Sequence, residues 1–512
     1  MLFFTTKLLY LYAKHRFKKL SSLEPVTAQE KQLFKLLLKG ENTVFGKEHS
    51  FSKIKSVSDY QQSVPLRYYE DFWRDYWQKS YPFLDGVTWH SKYPYYALSS
   101  GTTTGTTKYI PCSKEMLESN KKAGMDTLIF HLANYPRSKI LNGKNLILGG
   151  STDLRTLQNG SLAGDLSAIA YKEMPFWIKP FVLPPKEIAF LSNWEEKIEK
   201  IARLVLKSKV TSISGVPSWM LLFFEKVKEL GGDKEVKELM PHLELFIHGG
   251  ISFKPYRAKF KNLLQGLNID YREVYPASEG FIAVSDTKNS EEGLRLIVDH
   301  GIFYEFVPLE ELSSKNPTRH WVKDIELNVN YAVVLTTCAG LWSYILGDTV
   351  KFVSKDPLRL LITGRTSYML SAFGEHLIAE EIEEAVAKVC EKLSLTVNDF
   401  CVFPFFPENE ESKGYHCYIV EFDKKPAAGI VKQFSQEIDK YLCLRNEDYQ
   451  AHRAEDFGMK APVVIAVEKN FFKDWMKKRG KLGGQNKVLR IVTDEKIIKS
   501  LRYEAKDKFL ST

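Results

Sequence analysis

The sequence predicts an α/β fold: a large N-terminal lobe with layered, mostly parallel sheets plus a β-rich subdomain, and a smaller α+β C-terminal domain. Two observations carry this. The first is a recurring order of apolar strand, glycine turn and helix. Residues 144–148 run into Gly149-Gly150, residues 210–214 into Gly215 and a helix over 220–230, and residues 243–248 into Gly249-Gly250 and a basic helix over 254–264. Such repeats layer helices on a largely parallel sheet. Ligands of such sheets bind beyond the carboxyl ends of the strands, where these glycine turns fall. The second observation is a change of character after Tyr275, with short apolar or alternating strands at 294–298, 304–307, 331–336, 349–353 and 358–362. These predict a second, antiparallel or barrel-like lobe.

Gly364-Arg365-Thr366 marks the expected boundary, which divides the chain into 1–364 and 365–512. Beyond it lie an amphipathic helix over 377–393, strands at 400–403, 415–422 and 463–467, and a helix near 428–443. Together they make an α+β module of ordinary domain size. Upstream, helices are expected over 27–40 and 60–77, and a long one over 113–133 with Ser113 as N-cap and Glu115 in its first turn.

Composition narrows the function classes. Hydrophobic residues make up 44% of the 512, which is the content of a well-buried globular protein. The net charge of +9 is spread along the chain and suits an anionic small molecule. No aromatic-basic module of the nucleic-acid-binding kinds is present, so no nucleic-acid partner is expected. The six cysteines (112, 338, 390, 401, 417 and 443) form no C-x-x-C pair and no zinc spacing. They read as reduced packing residues of a cytoplasmic protein. Residues 1–13 are largely apolar and precede a basic run over 14–19, the reverse of a secretory signal. The stretch is too short to span a bilayer, so a docked amphipathic helix is expected, with peripheral membrane contact as the other reading. A monomer is the expected state.

The chemistry-bearing segments begin with Ser99-Ser-Gly-Thr-Thr-Thr-Gly-Thr-Thr-Lys108, which follows an apolar-aromatic run. Glycine lets a ligand approach the backbone, hydroxyls and N–H groups donate to oxyanions, and one lysine supplies a point charge for phosphate. The spacing is not that of a Walker A loop. Tyr275-Pro-Ala-Ser-Glu279-Gly280 sets a ring that can stack on a purine beside a carboxylate that can anchor Mg²⁺. Tyr344-Ile-Leu-Gly347-Asp348 offers a carboxylate for ribose hydroxyls. The basic, glycine-rich 477–490 segment suits a mobile loop that closes on an anion. Taken singly, each also reads as an ordinary polar turn.

In their order along the chain, these segments resemble the nucleotide-binding motifs of the auxin-responsive (Gretchen Hagen-three) family of acyl acid amido synthetases, part of the acyl-adenylate-forming superfamily. His248-Gly249-Gly250 is similar to that family's adenine-side loop, and Gly483-Gly484-Gln485-Asn486-Lys487 to its C-terminal lysine motif. The resemblance spans residues 45–490. It looks closer to bacterial than to plant members, given Phe373-Gly-Glu-His-Leu377 and the Gly-Gly-Gln-Asn-Lys loop.

The resemblance implies that Ser99, Ser100, Thr102, Thr103 and Lys108 hold phosphates, and that Gly249, Gly250 and Tyr275 hold adenine. It places Ser278 and Glu279 by the α-phosphate and Mg²⁺, Asp348 on the ribose, and Arg365 at the hinge. Lys487 reaches the reacting carboxylate and α-phosphate when the small domain closes. Lys108, Glu279 and Lys487 are thus the expected catalytic groups, with Glu279 the metal ligand. Leu489 and Ile345 depart from the family's proline and arginine. The implied activity is ATP- and Mg²⁺-dependent adenylation of a carboxylic acid with pyrophosphate release, then amide formation with an amine, an amino acid being the one expected. An acyl-CoA synthetase ending in a thioester and a catalytically inactive nucleotide-binding relative are the alternatives. The acyl group is expected near Trp219 and Met220.

Overall fold

The computed structural model describes residues 2–505 apart from 101–106, 150–153, 177, 192–193, 251–252, 254–255, 289–291, 367–368, 371–376, 407–413, 425, 447–448, 451–452, 454–458 and 481–486. The chain forms two compact units. The larger joins 1–251 to 266–361, and the smaller joins 252–265 to 362–512.

The strands in chain order are β1 (Tyr95–Ser100), β2 (Thr107–Cys112), β3 (Lys144–Leu148), β4 (Arg155–Thr156), β5 (Leu162–Gly164), β6 (Val182–Leu183), β7 (Val210–Gly215), β8 (Leu245–Gly249), β9 (Asp270–Ala277) and β10 (Gly280–Val284). They continue with β11 (Leu294–Leu296), β12 (Ile302–Pro308), β13 (Asn330–Thr337), β14 (Tyr344–Lys355), β15 (Leu358–Arg365), β16 (Met369–Leu370), β17 (Leu377–Ile378), β18 (Val397–Phe405), β19 (Tyr415–Phe422) and β20 (Val463–Val467).

The large unit is built on an eleven-stranded sheet of order β12-β13-β14-β15-β11-β10-β9-β8-β7-β3-β6. From β6 to β9 all neighbours are parallel, as the glycine-turn repeats predict. From β9 onward the pairings given are antiparallel. The expected second lobe is therefore not separate. β9 pairs with the parallel β8 along one edge and turns through Ser278-Glu279 into β10 along the other, so both halves share one sheet. Alternation in a sequence reports which face of a strand is buried, not which edge it joins. A second sheet, β2-β1-β5-β4, carries the hairpin β1–β2.

The expected helix over 60–77 is broken. Val57–Ser63 and Tyr69–Phe72 are separate helices, and Trp73–Trp77 is a π turn closed by the Gln78 amide on the Trp73 carbonyl at 2.8 Å. Pro65 explains the gap: its ring disfavours helical backbone at Val64 and supplies no N–H. The aromatic rings here serve the core, with Phe45, Phe72 and Trp77 buried together.

The N-terminal helix Leu2–Ser21 is docked along its second half. Ala13, Arg16 and Leu20 are buried, and Arg16 pairs with Asp126 at 2.7 Å and Asp299 at 2.8 Å. No described helix is long and apolar enough to cross a membrane.

In the small unit, the sheet β18-β19-β20 is covered on both faces. Phe400, Val402, Tyr418 and Val420 point to helices Ala379–Leu393 and Ala428–Arg445. Their alternates Cys401, Phe403, Cys417 and Ile419 point to Phe471–Lys478 and Glu495–Glu504. All six cysteines are free thiols, and burial pushes the Cys112 and Cys338 thiols up to about 12.

Candidate active site

The antiparallel strands β1 and β2 carry the two ends of the Ser/Thr/Gly segment, of which residues 101–106 lie outside the described residues. Ser99 pairs with Lys108 and Ser100 with Thr107, while Thr102 and Thr103 lie outside the described residues. Lys108 Nζ stands 3.6 Å from Glu70 Oε1 and 5.3 Å over the Tyr69 ring. The Tyr69 hydroxyl in turn accepts the Tyr109 amide at 2.9 Å, so the helix Tyr69–Phe72 fixes the strand that carries the lysine. Tyr69 and Glu70 were not singled out in the sequence. They lie in an aromatic run with no nucleotide-site pattern of its own.

Ser278 and Glu279 form the two-residue turn between β9 and β10. Gly280 follows because a Cβ there would stand 2.6 Å from Ile302 Cδ1. Glu279 is only 7% exposed, and the Tyr344 hydroxyl donates to its Oε1 at 3.0 Å. Burial raises its pKa above the usual carboxylate value. The hydrogen bonds from its own backbone and Tyr344 oppose the rise, Asp348 adds to it and Lys108 opposes it. Burial and Glu279 together hold the Tyr344 hydroxyl well above its usual value, which keeps it a donor.

Asp348 is aimed by a bulge in β14. Ala332 pairs with Thr349 and Val334 with Ile345, so extra residues on β14 oppose Val333, and Gly347 takes φ +91°. Bulges re-aim side chains in this way. Asp348 Oδ2 accepts the Tyr275 hydroxyl at 2.7 Å. Ile345 is 5% exposed and packs with Val307 and Val334, a place for an apolar side chain.

Gly249 ends β8 opposite Val274, the residue before Tyr275, and a Cβ on Gly249 would run into the Val274 carbonyl oxygen. Gly250 then takes φ +83°, which favours glycine. Two expected positions therefore need glycine for backbone reasons at the carboxyl end of a parallel strand. Trp219 and Met220 are buried on the helix Pro217–Leu230, with Met220 Sδ 3.0 Å from where a Cβ on Gly215 would sit.

The large unit thus brings together Lys108, Tyr275, Glu279, Tyr344 and Asp348, beside the Ser278 turn and the Gly249-Gly250 loop. Arg365, at the end of β15, and Lys487 belong to the small unit. Residues 483–486 of the lysine motif and 373–376 lie outside the described residues. The cluster can bind a polyanion through Lys108 and offers two carboxylates of different character. Asp348 is bonded and aimed by Tyr275, whereas Glu279 is buried with a raised pKa. One buried carboxylate fits Mg²⁺, which takes one or two carboxylates and completes its shell with water and substrate phosphates. No described group of three or more His, Cys, Asp or Glu residues could hold a metal alone.

Comparison with known proteins shows the family of the chain. The GH3 family N-terminal domain matches residues 13–269, the central domain 295–365 and the C-terminal domain 380–496. The chain is 24% identical over 412 residues to the jasmonoyl–L-amino acid synthetase JAR4 of Nicotiana attenuata, covering 67% of this chain and 70% of that protein. It is 21% identical over 551 residues to the indole-3-acetic acid-amido synthetase GH3.4 of Arabidopsis thaliana, covering 93% and 91%. Among solved structures, the AtGH3.15 acyl acid amido synthetase in complex with 2,4-DB superposes with a TM-score of 0.79 at 17% identity, over 97% of this chain and 96% of that one. A 2-hydroxyisobutyryl-CoA ligase in its postadenylation state has the same fold, with a TM-score of 0.59 at 13% identity, over 93% and 91%. By its three matched domains, which together span most of its length, the chain belongs to the GH3 family.

Proposed function

We propose that this GH3 protein is an acyl acid amido synthetase that activates a carboxylic acid with ATP and joins it to an amino acid. The observation that carries the reading is the cluster of Lys108, Glu279, Tyr344, Tyr275 and Asp348 on the sheets of a GH3 chain. In the first step a carboxylate oxygen of the acid attacks the α-phosphorus of ATP. The bond from the α-phosphorus to the bridging oxygen breaks, and pyrophosphate leaves with its electrons. In the second step the amine nitrogen attacks the acyl carbon, the bond to the phosphate oxygen breaks, AMP leaves and the nitrogen gives up a proton.

Two anions must meet in the first step, so charge neutralisation and alignment are what the protein supplies. Lys108 and the hydroxyls of Ser99, Ser100, Thr102 and Thr103 hold the phosphates, and Ser278 lies by the α-phosphate. Tyr275 with Gly249 and Gly250 holds the adenine, and Asp348 takes the ribose. Glu279 would hold Mg²⁺, which would supply charge neutralisation to the phosphates. Lys487 serves the reacting groups, and Arg365 opens a mobile lid formed by residues 365–512. The acid lies near Trp219 and Met220. The protein works as a cytoplasmic monomer.

Amide formation is favoured over a thioester because the curated relatives above are amido synthetases. The test is acid-dependent ATP–pyrophosphate exchange over a panel of carboxylic acids. Each active acid is then incubated with amino acids or CoA and analysed by mass spectrometry. Amide products support the reading, and thioesters alone would move the chain to the CoA-ligase class.

A further inference from the structure

Two arginines stand side by side on neighbouring strands of the large unit. Arg295 of β11 is in register with Arg359 of β15 and, on its other side, with Val284 of β10. Like charges directly opposite one another destabilise a sheet unless an anion separates them. Asp286 is that anion, and Arg359 takes both its oxygens, at 2.9 and 3.1 Å. Glu292, itself half exposed, stands 3.8 Å from Arg359 Nη1. Arg295 keeps Asp286 Oδ2 at 3.5 Å and donates through Nη2 to the neutral Leu20 carbonyl. Its five donors make no other hydrogen bond among the described residues. Burial pulls the Arg295 pKa below its usual value, with Asp286 opposing the fall and Arg359 adding to it. At Arg359 burial acts the same way, but Asp286 outweighs it and raises the value.

Both arginines line a cavity of about 330 Å³ between the last turn of the helix Leu2–Ser21, the helix Lys114–Asn134 and strands β10, β11 and β15. That is a volume in which small ligands bind. Phe17, Leu20, Phe130, Val284, Ile297 and Leu358 make its apolar wall, and the Arg295 guanidinium lies 5.7 Å over the Phe130 ring. Of the other two carboxylates of the lining, Asp126 is already held by Arg16 through both oxygens, at 2.9 and 2.7 Å, and by His300 at 3.0 Å. Asp356 is exposed to solvent. Val284 ends β10 roughly 13 Å along the strand from Gly280, so the cavity is separate from the Ser278-Glu279 turn.

We propose that this cavity is a second ligand site, distinct from the adenylation residues, that takes a small carboxylate with an apolar body. The carboxylate accepts the donors of Arg295 and supplies the second anion between the two arginines, and the apolar body covers the wall of Phe17, Leu20 and Phe130. Phe17 and Leu20 belong to the N-terminal helix, whereas Val284, Ile297 and Arg295 belong to β10, β11 and the chain just beyond it. An occupied site therefore ties the end of that helix to the sheet. The proposal stands independently of the adenylation reading.

The test is hydrogen exchange of the backbone amides of residues 14–21, read on the full chain without ATP as ligand is titrated in. The ligands are hexanoate and 3-phenylpropanoate, with hexanol and hexylamine as neutral and cationic counterparts. One or both carboxylates are expected to slow exchange in the wild type, at concentrations about tenfold or more below those needed for the alcohol or the amine. Arg295→Met removes the charge, and Ser21→Trp fills the cavity from its exposed side. Each is expected to raise the concentration needed by about tenfold or more, with folding checked by thermal melting. Exchange unchanged by either carboxylate, an equal response to alcohol or amine, or a wild-type response in either folded variant overturns the proposal. If Arg295→Met does not fold, Ser21→Trp decides alone. An acid that binds only among the adenylation residues leaves exchange in this helix unchanged and so counts against the second site, not against adenylation.

Discussion

The Tyr275 hydroxyl donates to Asp348 Oδ2 at 2.7 Å although β9 and β14 are four steps apart in the sheet. In a flat sheet those strands would stand about 19 Å apart, beyond the combined reach of the two side chains. The bond therefore requires the antiparallel half of the sheet to curl until the turn after β9 meets the bulge of β14. The Tyr344–Glu279 bond, at 3.0 Å, closes the same gap. Curling is what turns two distant motifs into one site.

Cutting that bond should weaken nucleotide binding more than chemistry. Tyr275→Phe keeps the ring and removes a donor to a charged acceptor, an interaction of about 1.5 kcal/mol or more. The expected result is a roughly tenfold higher KM for ATP in pyrophosphate release, with a smaller change in kcat. An unchanged KM would show that the pair does not position the nucleotide.

The bulge can be tested by itself. Gly347→Ala places a Cβ on backbone at φ +91°, a strain of about 1–3 kcal/mol. A lower melting temperature together with a raised KM for ATP is expected, because relief of the strain re-aims Asp348. A loss of stability with KM unchanged would separate the bulge from binding.

Glu279 sets stability against function. Its folded pKa is raised, so its contribution to stability is full below the usual carboxylate pKa and is lost as pH rises through the folded value. At neutral pH the buried carboxylate therefore weakens the fold. Glu279→Gln is expected to melt at or above the wild-type temperature at neutral pH while adenylation falls by about 100-fold or more. Melting curves across pH with parallel rate measurements check both halves. A variant that is less stable and fully active would contradict both.

The N-terminal helix is held by a buried ion cluster. Burial alone would raise the pKa values of Asp126 and Asp299, but the bonds from Arg16, with His300 acting beside them, hold both below the usual carboxylate range. Their stabilisation is full above the usual carboxylate pKa and is lost as pH falls through the lowered folded values. Arg16→Ala leaves two buried carboxylates uncompensated and is expected to cost about 3–5 kcal/mol in denaturant unfolding. A change under about 0.5 kcal/mol would mean the cluster does not hold the helix.

What the sequence made legible follows the physics of each signal. The strand–glycine–helix repeats set the parallel half because Gly249 and Gly250 answer to local constraints, a close backbone approach and a positive φ. The motifs of Lys108, Glu279 and Asp348 were visible as residue types suited to phosphate, metal and ribose. Their convergence was not, since it depends on the curl of the sheet and on a bulge that no periodicity encodes. The helices Phe471–Lys478 and Glu495–Glu504 were missed because a strand such as β18, buried on both faces, does not say what covers its second side. The break at Pro65 was legible and was overridden by the aromatic run around it.

Adenylation by this site is tested by acid-dependent ATP–pyrophosphate exchange by wild type, Lys108→Ala and Lys487→Ala, measured on folded proteins with one active acid. Exchange by the wild type is expected, with a loss of about 100-fold or more in Lys108→Ala and Lys487→Ala alike. Exchange at the wild-type level in both variants would contradict it.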